Sequence, residues 1–194
     1  DNSNLSNHTL SGNITTAGDD AHGIYLLTES ESNTINITGN ITTAGDNAHG
    51  IYNRDSSSNT YNVIGNISTT GDNGRGLFIR GSNSNTFNMT GNITTTGDSE
   101  GIRLNGSESN NITINGNIIT SGTDGESEPI SINNSDSNNF TLSGAVHSLG
   151  GDQAISVSSN SQSNTFIFKR GASFIGGLEN NGGSTNKLIF DMGK

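Results

Sequence analysis

The chain has 194 residues, among them 31 Asn, 28 Ser, 22 Thr and 27 Gly, and a formal net charge of −10. Only three Lys and five Arg are present, which argues against nucleic acid or an anionic membrane surface as a partner, since both need clustered basic side chains. No apolar run approaches the ~20 residues of a membrane-spanning helix, so direct membrane insertion by this segment is not expected.

A composition this polar would by itself suggest disorder. The order of the residues argues otherwise. The chain begins at Asp1 in mid-repeat and without a signal-peptide pattern, so the expectation is a segment of something longer. From there a Gly-Asn pair recurs at Gly12, Gly39, Gly65, Gly91 and Gly116, at spacings of 27, 26, 26 and 25 residues. A unit this short cannot bury a core alone and must stack on its neighbours, which makes the chain a solenoid. Cysteine is absent; this leaves the compartment open, although a Cys-free rod suits export routes that disulfides would obstruct.

Within each repeat the apolar residues alternate with a period of two. The first strand carries Ile35/Ile37, Tyr61/Val63, Phe87/Met89, Ile112/Ile114, Phe140/Leu142 and Phe166/Phe168. Two residues past the Gly comes a further column, Ile14, Ile41, Ile67, Ile93, Ile118 and Val146. A Gly-Asp turn follows, at Gly18-Asp19, Gly45-Asp46, Gly71-Asp72, Gly97-Asp98 and Gly151-Asp152. The next strand carries Ile24/Leu26, Leu77/Ile79, Ile102/Leu104, Ile130/Ile132 and Ile155/Val157, with Asn53 breaking the pattern after Ile51. Alternate residues of a strand face opposite sides, so these columns line the interior while Asn, Thr and Ser face water. No 3.6-residue stripe is present and β-branched residues abound. The predicted fold is all-β: a parallel β-helix of about seven coils, ~35 Å long at one strand spacing per coil.

The turn glycines are expected to supply positive φ, with each Asp bonding nearby backbone N–H groups. At a second corner Ser-Asn recurs at Asn33, Asn59, Asn85, Asn110, Asn138 and Asn164, which predicts an asparagine ladder running up the stack. Residues 1–165 read as repeated coils. Residues 166–194 read as a divergent last coil, apolar and Gly-rich, that either caps the core or meets another segment.

Few residues escape the repeat. Catalysis by a β-helix, as in polysaccharide-active enzymes, needs convergent carboxylates or a Ca²⁺ site with a basic neighbour. Here the acids recur at one turn position per coil, and Arg54, Arg75, Arg80 and Arg103 form no evident cluster with Asp or His. No catalytic, metal or cofactor-binding residue is therefore expected. Aligned carboxylates at Asp19, Asp46, Asp72 and Asp98 would repel by about 1–3 kcal/mol per pair at a dielectric of ~20–80, unless turn amides or Ca²⁺ offset it. His22 and His49 repeat in register, but Arg75 and Glu100 follow, against a histidine metal column. The Asn-x-Thr face at Asn13/Thr15, Asn40/Thr42, Asn66/Ser68 and Asn92/Thr94 offers an ice-binding alternative, and the same tripeptides read as glycosylation sequons. Tyr25, Tyr52 and Phe78 are expected to point outward as a stacked column, available to a sugar or a protein partner. The irregular stretch from Gly122 to Pro129 and the apolar last coil are the other departures from the repeat.

The phrase GNITTAGDNAHGIY resembles the passenger repeats of Gram-negative autotransporters, in which stretches like ITTxGDNAxGI recur; the likeness spans roughly residues 5–160. It implies a right-handed β-helix, secreted or displayed on the bacterial cell surface, acting in adhesion, self-association or as a structural rod. The partners it implies are a protein or glycan at a cell surface, or another copy of the chain. The resemblance carries no ligand motif onto particular residues. A polysaccharide-active enzyme is the alternative from another class.

Overall fold

The computed structural model describes residues 6–28, 30–123, 125–151, 153–191 and 193. Each complete coil contributes three short strands, one to each of three parallel sheets. The first sheet has eight strands, from Asn7–Ser11 to Lys187–Asp191. The second has seven, from Ile14–Thr16 to Ser173–Ile175, and the third has seven, from Ile24–Leu27 to Gly177–Asn180. Every pairing is between a strand and its equivalent one coil away, as Thr34–Thr38 with Thr60–Ile64, Ile41–Thr43 with Ile67–Thr69, and Ile51–Arg54 with Leu77–Arg80. The fold is a β-solenoid of about seven turns, and no helix occurs among the described residues.

The predicted apolar columns form the core. Ile35, Ile37, Tyr61, Val63, Phe87 and Met89 from the first sheet are buried, with Ile41, Ile67, Ile93, Ile118 and Val146 from the second. Leu77, Ile79, Ile102, Leu104, Ile130 and Ile132 close the third side of the same cluster. The column two residues past the Gly thus belongs to a strand of its own, and each coil has three strands rather than two. Residues 173–191 add a further strand to each sheet, in register except for a bulge between Gln153 and Ile155 in the third, with Leu188 and Phe190 paired with Phe166 and Phe168. Their outer surface is exposed: Ile175, Leu178, Leu188, Ile189 and Phe190 all remain accessible.

The stacking is tight enough to dictate residue type. At Gly39, Gly65 and Gly91 the backbone sits at φ of 141–145°, and a Cβ there would come within 2.0–2.2 Å of the preceding coil's glycine carbonyl oxygen. Except at Gly151, whose φ is 101° as expected, the Gly-Asp turn works differently from expectation. Gly45, Gly71 and Gly97 do not have positive φ; they are small because a Cβ would meet the carbonyl below at 2.1–2.4 Å. The positive φ falls instead on Asp20, Asn47 and Asn73, at 55–56°. Asp152 of the fifth Gly-Asp pair lies outside the described residues.

Polar columns hold the corners. Where the third sheet turns into the first, Ser32, Ser58, Ser84, Ser109, Ser137 and Ser163 adopt φ of 57–60° and turn the next Asn inward. Asn59 Oδ1 accepts the backbone N–H of Asn33, Asn85 that of Asn59, and so on through Asn110, Asn138, Asn164 and Asn186 at 2.8–2.9 Å. The predicted asparagine ladder is present, and it extends one rung further, to Asn186. Three residues before Asn59, Asn85, Asn110, Asn138 and Asn164 runs a serine ladder that the repeat did not announce. Ser82, Ser107, Ser135 and Ser161 hydroxyls accept the N–H of Ser56, Ser82, Ser107 and Ser135 at 3.0–3.2 Å.

Candidate functional site

The surface columns first considered for chemistry are largely occupied by the fold. Asp19 Oδ1 accepts the backbone N–H of Asp46 at 3.0 Å, Asp46 that of Asp72, Asp72 that of Asp98, and Asp98 that of Thr123. Each turn carboxylate is thereby an acceptor for the coil above it, which offsets the like-charge stacking. The Asn-x-Thr face behaves the same way. Asn13, Asn40, Asn66, Asn92 and Asn117 each accept the N–H of the next coil's equivalent residue at 2.9 Å. Thr15, Thr42, Ser68 and Thr94 stand in one register column beside them, continued by Ile119 and His147. The stretch from Gly122 to Pro129 also keeps the stack: the carbonyls of Glu128 and Pro129 accept the N–H groups of Gly101 and Ile102 at 3.1 and 2.8 Å.

One corner departs from this economy, and it lies beside the predicted aromatic column. Tyr25, Tyr52 and Phe78 do stack on the outer side of the third sheet, with ring centroids 5.0 and 4.9 Å apart and planes within 6°. Their accessibility differs from expectation. Tyr25 is 44% exposed, but Tyr52 and Phe78 are 6% and 7% exposed and offer no open aromatic face. The reason is the neighbouring corner between the second and third sheets. His22 and His49 stack there at 4.9 Å, their planes 2° apart, and meet Tyr25, Tyr52 and Phe78 edge-on at 4.9–5.1 Å. Alternation along a strand says which side a residue faces, not whether an adjoining corner folds over it.

The same column changes character one coil on. Arg75 follows His49 and lays its guanidinium 4.8 Å from the Phe78 ring centre, a cation–π contact. Its Nε lies 2.7 Å from Glu100 Oε2, and the other Glu100 oxygen pairs with Arg103. Glu100 is 2% exposed, so this is a buried Arg–Glu–Arg triad. Arg103 stands in register with Phe78, so the triad closes both columns. Contrary to the sequence reading, the chain does contain a unique His/Arg/Glu cluster. The signal was there in a column whose residues change, His22, His49, Arg75, Glu100, and whose substitutions are complementary rather than random. Arg54 and Arg80 stay outside it, paired with each other in register on the exposed rim.

Protonation in this cluster follows from burial and geometry. His22 Nδ1 accepts the backbone N–H of His49, and His49 Nδ1 accepts that of Arg75, both at 3.1 Å. Each imidazole is therefore neutral, with its proton on Nε2. Burial, then Arg75, then His22 pull His49 down to about 3. Burial also lowers His22, against a smaller opposing pull from Asp20. Burial draws Arg75 below its ordinary range, and Glu100 opposes that shift.

No protein-family model, curated protein or solved structure matches the chain.

Proposed function

We propose that this chain is a passenger-type β-solenoid of a Gram-negative autotransporter, displayed at the cell surface or secreted, where it serves without catalysis as an adhesive, self-associating or spacing rod. The observation that supports this most is the use of its polar residues. The Asp, Asn and Ser columns that would have to supply chemistry are spent on coil-to-coil hydrogen bonds, repeated with little change along the stack. Such an arrangement maximises length and rigidity from few apolar residues, which is what a displayed rod requires. The recurring ITTxGDNAxGI phrase points to the same class of protein. A surface protein, a glycan or a second copy is the partner this reading names.

The test is direct. Beads coated with the purified chain are expected to clump, or to bind host cells or immobilised glycans, above beads coated with an unrelated acidic protein. Inert beads together with release of new reducing ends from a polysaccharide panel would replace this reading with the enzymatic one.

A further inference from the structure

We propose that the His22–His49 column is an acid-released latch: at neutral pH it fastens the first three coils together at the corner leading into the third sheet, and protonation of the imidazoles opens that corner ahead of the rest of the rod. The inference is independent of what the rod binds.

The latch is built from main-chain contacts. The amide of His49 donates to His22 Nδ1, while its carbonyl accepts the N–H of Gly23 at 2.9 Å. One coil on, the amide of Arg75 donates to His49 Nδ1, and its carbonyl accepts the N–H of Gly50 at 2.8 Å. A proton on either Nδ1 would set an N–H donor against a backbone N–H donor, and the bond between coils is lost. A half-turn flip of the ring keeps the stack but sets a C–H, which accepts nothing, against the same backbone N–H.

The surroundings give the resulting cation little shelter. The groups facing the two rings are Asp20 from the turn, Tyr25, Tyr52 and Phe78 from the third sheet, and Arg75 from the next rung. Asp20 acts on His22. Glu100, one rung past Arg75 in the same column, is held by Arg75 and Arg103. An imidazolium at position 49 would thus stand between a fixed guanidinium and a second histidine. Above this point the same corner is held by the ion triad, and elsewhere by Asn and Ser ladders that do not titrate. Among the hydrogen-bond ladders, acid therefore acts on the His column here and, in the range where carboxylates protonate, about 3.9 for a free Asp, on the Asp turn column.

The linkage has a definite sign. An opened corner exposes histidines of ordinary affinity, near 6.5, whereas the closed corner keeps His49 neutral to about 3. Between these limits the open state binds the extra proton, so closure is complete above the open-state value and weakens as pH falls, about tenfold per pH unit for one histidine.

Native-state hydrogen exchange on the intact chain tests this. Corrected for intrinsic rates, protection at His49, Gly50 and Arg75 should fall about 100-fold from about pH 6.5 to 4.5, with Ile130–Asn133 nearly unchanged. In a His22→Asn/His49→Asn variant, whose Oδ1 replaces each Nδ1 acceptor without titrating, that fall should vanish. A fall of the same size in the variant, or loss of protection along the whole chain at once, overturns the proposal. Should the double variant misfold, ¹⁵N shifts of the native imidazoles decide it: Nδ1 protonated at neutral pH, or His49 titrating near 6.5, refutes the latch.

Discussion

Two corners of the same coil solve one problem in different ways. Where the third sheet meets the first, seven successive coils place the same asparagine at the turn, and six bonds from backbone N–H to Oδ1 link each to the next. Where the second sheet meets the third, the equivalent positions are His22, His49, Arg75 and Glu100. The first corner is uncharged and self-similar, so it has neither a preferred place nor a pH. The second is held by imidazoles in the early coils and by buried ions in the middle of the rod. Repetition suffices for stability; the corner that abandons it gains a response to its surroundings.

The sharpest way to break this contrast is at the triad. Glu100→Ala leaves Arg75 and Arg103 without their shared carboxylate in a buried setting, and is expected to cost about 3–5 kcal/mol in denaturant unfolding. The repeating corner should yield somewhat less. Asn110→Ala removes the acceptor for the N–H and Nδ2–H of Asn85 and the donor to the Ser82 carbonyl, an expected loss of about 2–4 kcal/mol. If Asn110→Ala proves harmless, the ladder is a consequence of the fold rather than a cause of it.

Acid separates the corners next. With His49 held to about 3, the folded state loses stability as pH falls below the unfolded value, and the difference between wild type and His49→Asn should grow to about 3 kcal/mol between about pH 6.5 and 4.5. The opposite sign is expected inside the core. Asn53 is fully buried between Leu26 and Ile79, and neither of its amide atoms finds a protein partner. Asn53→Leu should therefore raise the unfolding free energy by about 1–2 kcal/mol, read as a higher denaturation midpoint. The smallest effect belongs to the turn column. Asp72→Asn keeps an Oδ1 for the Asp98 N–H and removes a like charge, so a change within about 0.5 kcal/mol is expected, and Ca²⁺ should not shift the melting temperature of either protein.

These expectations also mark what was legible in the residues alone. Period-two alternation identified the core from Ile35 to Phe168, and the recurring Ser-Asn pair identified the ladder, because both depend on the same residue returning to the same place. The serine ladder from Ser56 to Ser161 went unseen for the opposite reason: Ser is so abundant here that one more in-register column carries no contrast. Tyr52 and Phe78 were correctly placed outside the core but wrongly taken as accessible, since no strand pattern reveals that His22, His49 and Arg75 fold across them. The triad was hidden for a deeper reason. A comparison of repeats rewards identity and discards substitution, yet Arg75, Glu100 and Arg103 are bound together because they differ.

Side chains of one coil hold the backbone of the next, even at corners that look like open polar turns. Amide exchange at Asn59, Asn85, Asn110, Asn138 and Asn164 tests it most directly. Each N–H is held by the Oδ1 of the following rung, so these amides should exchange as slowly as those of the core strand Asn111–Asn115. Exchange at the rate of an unprotected loop would contradict the account.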